Sequence, residues 1–405
     1  MKMQPYLLLS LLLLLSSCRR SAPLPDDLDK KVAAWFITPH LVELDSLTRF
    51  QLTHPQWDSI IGRSTEISAE AGAFKKELRD TRKRRYTMGW ITPDTIRIDT
   101  TYPLILYLHG GIGTQVTTKG ELAWDMLTPL TDTFNLFLAS PSANRQAPWW
   151  SPQGIERILQ TLRFMSVRYP INPDKVFLAG VSDGGTGCFA AASTIPAHFA
   201  GFFAVSCHPG MLAQAGFRMV IDNVKQRPIH LVHAGNDGLY PWQYVKPFLD
   251  SLKTSGVPLS ISFYPDEQHG FDYRAQEFGT IARLIREWSR PGDDRNFDWT
   301  YVPHYPNHAD NCFNWSVTDI GKELPRVTGR WNAEQLAIAG ENVASLTLVT
   351  RSQLPSIKYA QHNGQMQAAQ KIPFDIARVL KFSQYRCFLT PSKQVSLYDL
   401  ILSEK

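Results

Sequence analysis

The sequence predicts an α/β fold, a mostly parallel sheet flanked by helices, with a helical N-terminal segment before it and a small β-rich module after it. Three observations carry this. Short, continuous apolar runs recur between residues 104 and 264, as strands buried on both faces require. Segments with helical signals fall between them, and strands alternating with helices imply a parallel sheet covered on both sides. On either side of this stretch the pattern is different.

The core reads as residues 86–290. Tyr86–Thr92 and Thr95–Thr100 alternate in strand style. Continuous apolar strands are expected at Leu104–Leu108, Phe134–Ala139, Lys175–Ala179, Gly201–Ser206, Ile229–His233 and Leu259–Tyr264. Thr118 with Glu121 three residues on is a capping-box signature. Ser151 before Pro152 is an N-cap followed by proline in the first turn, opening a helix that ends by Tyr169-Pro170. Further helices are expected at Gly184–Thr194, Pro241–Thr254 and Asp272–Ser289.

Residues 31–85 read as helical: Val32, Trp35 and Phe36 share a face, and the stretch to Arg85 is rich in Glu, Lys, Arg and Ala. After the polar run at 290–295, residues 291–405 carry many aromatics and one clear alternating strand, Ala344–Val349, and read as the small β-rich module.

Composition bounds the function. The 405 residues are 43% hydrophobic and 20% charged, enough apolar surface for a large core and against bulk disorder. The net charge of +5, concentrated partly in Arg82-Lys83-Arg84-Arg85, is no nucleic-acid footprint. At the N-terminus, Lys2 precedes a leucine-rich run from Tyr6 to Leu15, too short to span a bilayer but fitting the core of a signal peptide. It leads into Leu15-Ser16-Ser17-Cys18, which resembles the lipobox of bacterial lipoproteins. That resemblance implies removal of residues 1–17, lipid on Cys18, a polar tether over 18–30 and a lipid-anchored place in the bacterial cell envelope. The remaining cysteines, Cys188, Cys207, Cys312 and Cys387, match no zinc spacing. Export permits disulfides among them, and buried free thiols are the expectation for Cys188 and Cys207, which sit in apolar runs.

The chemistry centres on Gly180-Val181-Ser182-Asp183-Gly184, a G-x-S-x-G motif. It follows an apolar strand and opens a small-residue helix, the context in which such a serine sits on a strained turn with its hydroxyl exposed. A serine hydroxyl needs a base to take its proton. His269 follows the strand ending at Tyr264, and Asp237 follows the strand ending at His233. Their order after Ser182 is nucleophile, acid, base, and both lie where parallel strands present their C-terminal ends. His233 reads as a core residue and His208 as a pocket wall; Asp266 and Glu267 are too close in sequence to His269 to serve as its acid. His109-Gly110-Gly111 follows another strand and is placed to offer a backbone N–H to an oxyanion, Gly111 being the expected donor and Ile112 the alternative; the second donor is the N–H of Asp183. Trp149 and Trp150 fall in a loop at the same edge, where they either line a substrate pocket or anchor the loop in the core.

Residues 86–290 resemble the α/β-hydrolase superfamily, and within it the secreted esterases related to polyhydroxybutyrate depolymerases, feruloyl and acetyl-xylan esterases and the predicted-peptidase group. LILYLHGG, APWWSPQG, KVFLAGVSDGGTG, HAGNDGLYP and EQHGFDY carry the resemblance. It implies a covalent acyl-enzyme with no metal and no organic cofactor, acting on a small-molecule or polysaccharide-linked ester. A serine peptidase of the same fold and an inactive hydrolase-fold binding lipoprotein remain the alternative readings.

Overall fold

A computed structural model of the chain describes residues 27–38, 42, 44–50, 52–64, 67–121 and 127–290, and the backbone of nine strands between 297 and 401. The leader, Cys18, Cys312 and Cys387 lie outside the described residues. Among those described, no helix is long and apolar enough to cross a membrane.

The central element is an eight-stranded sheet. Its strands are β1 (Ala73–Arg79), β2 (Arg85–Ile91), β3 (Tyr102–Leu108), β4 (Phe137–Pro141), β5 (Ile171–Val181), β6 (Gly201–Val205), β7 (Ile229–Ala234) and β8 (Leu259–Tyr264), in spatial order β1-β2-β4-β3-β5-β6-β7-β8. β1 and β2 pair antiparallel, β2 runs antiparallel to β4, and β3 to β8 are parallel. All the C-terminal ends of β3 to β8 therefore open at one edge, where loops can converge on a ligand.

The helices are α1 (Leu28–Ile37), α2 (Leu44–Thr48), α3 (His54–Ser64), α4 (Pro129–Phe134), α5 (Pro152–Arg168), α6 (Asp183–Thr194), α7 (Met211–Gln214), α8 (Ile221–Val224), α9 (Trp242–Thr254) and α10 (Arg274–Glu287). Alternation along β3 sorts them into two layers. Leu104, Leu106 and Leu108 face a core shared with Ile155 and Ile158 of α5, Phe189 of α6 and Leu249 of α9. Ile105 and Tyr107 face the other core, with Leu130 of α4 and Ile281 and Leu284 of α10. Ser151 caps α5 as its sequence requires, its hydroxyl accepting from the Gly154 N–H at 3.0 Å.

The N-terminal helices form a satellite core: Val32, Trp35 and Phe36 of α1 pack with Trp57, Ile60 and Ile61 of α3 and with Val167 of α5. The expectation of helix up to Arg85 fails beyond Ser64. The stretch AFKKELR, composed mostly of good helix formers, is the edge strand β1. Tertiary pairing overrides propensity here. Phe74 stacks on Trp90 of β2, with ring centroids 5.3 Å apart. The turn between the strands is pinned to α5 by the buried carboxylate of Asp80, which accepts from Arg84 at 3.0 Å and from Arg157 at 2.8 Å.

Two other expectations shift. Thr95–Thr100 is not a strand, because both edges of β2 are already taken by β1 and β4; the segment is a turn in which Arg97 pairs with Asp99 at 2.9 Å. Phe134 closes α4 rather than opening β4, and Asn135 turns the chain through a left-handed φ of 47°. The capping-box segment at Thr118 forms one 3-10 turn over Lys119–Glu121, and residues 122–126 lie outside the described set.

In the C-terminal region, β9 (Phe297–Tyr301), β10 (Trp315–Ile320), β11 (Arg326–Trp331), β12 (Leu336–Glu341), β13 (Val343–Thr350), β14 (Ile357–Ala360), β15 (Met366–Ala368), β16 (Gln370–Ile372) and β17 (Ser396–Ile401) form two sheets, ordered β10-β13-β17-β16 and β15-β14-β12-β11-β9. The expected strand Ala344–Val349 lies within β13.

Candidate active site

β5 delivers Ser182 to the open edge of the sheet. The residue has φ 57° and ψ −119°, a sparsely populated conformation for a side chain with a Cβ. The turn survives because its neighbours are glycines. A methyl group on Gly184 would sit 1.8 Å from the Leu108 carbonyl oxygen, and one on Gly180 would sit 2.4 Å from the Gly184 backbone. The Ser182 N–H donates to the Val205 carbonyl at 2.9 Å, tying the turn to β6.

The structure brings Ser182, His269 and Asp237 into one hydrogen-bonded row. Ser182 Oγ lies 3.0 Å from His269 Nε2, and His269 Nδ1 lies 2.8 Å from Asp237 Oδ2. Asp237 is 2% exposed. Its other oxygen, Oδ1, accepts from the N–H groups of Leu239 at 2.9 Å and Tyr240 at 2.8 Å. Those two bonds fix the carboxylate, so Nδ1 carries the imidazole proton and Nε2 presents a lone pair to the serine hydroxyl.

The acid and base loops, after β7 and β8, hold each other in place. Asn236 N–H donates to the Glu267 carbonyl at 2.9 Å, and Gly235 N–H donates to that of Tyr264 at 2.7 Å. A methyl on Gly235 would lie 2.2 Å from the Pro265 carbonyl oxygen, so only glycine permits this approach. The Gly270 N–H donates to Ser206 Oγ at 3.2 Å, which anchors the base loop to β6.

The loop after β3 lies against the serine: a methyl on Gly110 would be 3.0 Å from Ser182 Cβ. The Gly111 N–H has no hydrogen-bond partner among the described residues, whereas that of Ile112 donates to Asp183 Oδ2 at 2.9 Å. Of the two expected donors from this loop, Gly111 is therefore the free one. Asp183 is the first residue of α6, so its N–H has no intrahelical partner and points out of a helix N-terminus.

The aromatic residues divide. Trp149 is 0% exposed, donates its indole N–H to the His109 carbonyl at 3.0 Å, and packs against α6 at Gly187. As a substrate-pocket residue it is a misplacement: it anchors the loop in the core. Trp150 is half-buried against the same core. His208 is half-buried beside the site, its ring edge-on to Tyr240 at 6.2 Å and to Phe248 at 6.2 Å, and burial lowers its pKa. His233 is buried within β7, bonded through Nε2 to the Tyr240 carbonyl at 3.0 Å, and desolvation lowers its pKa too. Asp266 and Glu267 contribute backbone carbonyls to Asn236, with no side-chain bond to His269 among the described residues. Cys188 and Cys207 are buried free thiols.

Tyr240 is a site residue that the sequence reading passed over. Its ring lies 5.6 Å from that of His269, and its hydroxyl is close to Ser182. Burial raises the phenol pKa to about 12, so it remains a neutral donor. Its signal was its place three residues after Asp237, which returns its side chain to the site once Asp237 is fixed.

The model of the dienelactone hydrolase family matches residues 142–290, a span that contains Ser182, Asp237 and His269 but not the Gly110-Gly111 loop. Among solved structures, the chain is similar to a thermostable esterase at 17% identity over 54% of this chain and 63% of that one, with a TM-score of 0.45. It is similar to an acylaminoacyl peptidase from Pyrococcus horikoshii at 14% identity over 56% and 43%, with a TM-score of 0.44. A third, S-formylglutathione hydrolase from Staphylococcus aureus, matches at 17% identity over 55% and 98%, with a TM-score of 0.40. The chain thus spans less than two thirds of the first two. No curated protein matches it. The sheet order and the serine turn between β5 and α6 give the chain an α/β-hydrolase fold, within which residues 142–290 are similar to the dienelactone hydrolase family.

Proposed function

We propose that this chain is a serine hydrolase that cleaves carboxylic esters through an acyl-enzyme on Ser182. The observation that carries the proposal is the row Ser182–His269–Asp237, with contacts of 3.0 and 2.8 Å. His269 Nε2 takes the Ser182 proton as Oγ attacks the ester carbonyl carbon. The carbonyl oxygen becomes an oxyanion held by the N–H groups of Gly111 and Asp183. The tetrahedral intermediate collapses, and His269 passes its proton to the departing alkoxide. Water then attacks the acyl-enzyme by the same path, releasing the acid and restoring Ser182. Asp237 holds the imidazole in the required tautomer and stabilises its cation.

An ester is favoured as substrate by the similarity to dienelactone hydrolases, whose name denotes cleavage of a cyclic ester. His208 packs edge-on against both Tyr240 and Phe248, and Tyr240 in turn lies edge-on to His269; this aromatic cluster suits an apolar or ring-bearing group. The test is hydrolysis of a short-chain p-nitrophenyl ester by the wild-type protein and Ser182→Ala, beside labelling by a fluorophosphonate. Activity and labelling that both vanish in the variant support the assignment; equal activity in the two proteins removes Ser182 from the mechanism.

We also propose export and lipid attachment at Cys18, on the strength of Leu15-Ser16-Ser17-Cys18 after its leucine-rich run. The enzyme would then work tethered in the cell envelope on esters of small molecules or polysaccharides. Metabolic labelling with a clickable fatty acid should mark the wild-type protein and not Cys18→Ala; label retained by the variant would remove this site.

A further inference from the structure

The peptide unit between Gly111 and Ile112 is held at both ends by opposite charges. Its N–H donates to Asp183 Oδ2 at 2.9 Å, and its carbonyl accepts from the Lys119 ammonium. Gly111 itself is in the left-handed region, with φ 63°, so this unit is part of a tight turn, and the preceding Gly110 lies directly against Ser182. Both charges also reach the His109 ring, Asp183 raising its pKa and Lys119 lowering it. The two side chains come from unrelated places, the residue after the serine and the 3-10 turn at Lys119–Glu121.

A glycine pair alone leaves such a turn many conformations. Catalysis by an oxyanion hole requires the opposite: donors already aimed before charge develops. The clamp supplies this order. Asp183 gives one donor from its own backbone, and its carboxylate fixes the loop that gives the other, so one residue sets the spacing between both. A carboxylate this close to a developing oxyanion is unfavourable by itself, because like charges repel most strongly where water is sparse. Lys119, on the same peptide, offsets it.

We propose that the Asp183 carboxylate and the Lys119 ammonium are paired positioning groups that lock the Gly111–Ile112 peptide and so aim the Gly111 N–H at the oxyanion. The proposal rests on the serine-hydrolase reading of Ser182. Asp183→Ala should lower kcat on p-nitrophenyl acetate about tenfold or more with little change in KM, below the 10²–10³ ceiling for loss of a whole donor. Asp183→Asn keeps an acceptor oxygen and should recover most of that loss. Lys119→Met leaves the carboxylate unopposed and should also cost about tenfold. Adding Asp183→Asn to Lys119→Met should then raise kcat above that of Lys119→Met alone, a reversal that mere loss of packing cannot produce.

Hydrogen exchange provides a readout without turnover. In the peptide covering His109–Gly113, the Ile112 amide should exchange about tenfold faster in Asp183→Ala, with other core peptides unchanged. Unchanged exchange there overturns the clamp; faster exchange with wild-type kcat overturns its role in aiming the donor. A double variant no faster than Lys119→Met overturns the charge pairing. If the wild-type protein neither turns over esters nor reacts with a fluorophosphonate, the hydrolase assignment fails, and the exchange result still decides whether the clamp exists.

Discussion

Trp149 donates its indole N–H to the carbonyl of His109 at 3.0 Å, and this bond joins the loop after β4 to the loop that carries Gly110 and Gly111. The same histidine accepts from the Ala143 N–H through Nε2 at 3.0 Å, and its ring stands edge-on to the indole at 5.2 Å. The proposed oxyanion loop thus rests on a buried plate of two rings. Trp149→Phe keeps much of the apolar contact but leaves a buried carbonyl unpaired. It should lower unfolding free energy by about 1–3 kcal/mol. Urea denaturation measures this, and ester kcat should fall with it while the triad residues stay intact. An unchanged urea midpoint would show that the bond contributes nothing.

His109 also makes stability depend on pH. Burial pushes its pKa down from 6.5 to about 4, outweighing the favourable bond to the Gly110 carbonyl. Between those values the unfolded chain binds a proton that the folded chain refuses. The stabilising contribution is therefore complete above 6.5 and is lost as pH falls toward 4. One buried histidine with this shift is worth on the order of 3 kcal/mol across the window. His208 and His233, also lowered by burial, act in the same direction, so the wild-type curve alone does not isolate His109. The difference between wild type and His109→Gln does: the variant's stability should fall less steeply from pH 6.5 to 4. Parallel curves for the two proteins would contradict the assignment.

Strain at Ser182 predicts a trade between stability and function. Its φ of 57° with ψ of −119° is a conformation that glycine adopts freely and serine does not. Strain of this kind costs roughly 1–3 kcal/mol, and a glycine gives back part of the gain as unfolded-state entropy of about 0.5–1 kcal/mol. Ser182→Gly should therefore be inactive and yet melt higher than Ser182→Ala, which keeps a Cβ in the same conformation. Calorimetry of the two variants decides it; a glycine variant that melts lower would show that the turn holds no strain.

The legible parts of this molecule are those fixed by local pattern. The run LILYL lies within β3, buried on both faces, and LSISFY defines the half-buried edge strand β8; the loops that follow such parallel strands meet at one edge, which brings Asp237 and His269 to Ser182. The strand β1 was hidden because AFKKELR carries helix-forming residues and only Leu78 is buried, so its form is decided by pairing with β2 and not by its own composition. The two tryptophans could not be separated in sequence, since a core anchor and a pocket wall look alike until burial is known. The second role of Asp183 and the approach of Lys119 depend on a turn geometry that only the folded backbone defines. Tyr240 belongs to the same class, reaching Ser182 only after Asp237 has ordered its loop.

Asp237→Asn tests the division of labour in the row. Asp237 accepts three hydrogen bonds, one from His269 and two from the backbone of its own loop. An asparagine has a single acceptor oxygen. If that oxygen keeps the Leu239 and Tyr240 N–H groups, its amide NH₂ faces His269 and can only donate. Nδ1 must then be the acceptor and Nε2 the protonated nitrogen, which removes the lone pair that takes the serine proton. A tautomer error of this kind in a serine triad costs about 10⁴ in kcat. The loss should shrink at high pH, where hydroxide or a deprotonated serine bypasses the base, while KM and the fold are retained. A pH–rate profile of the variant on p-nitrophenyl acetate checks this. A variant within tenfold of wild type at neutral pH would mean that Asp237 does not set the tautomer of His269.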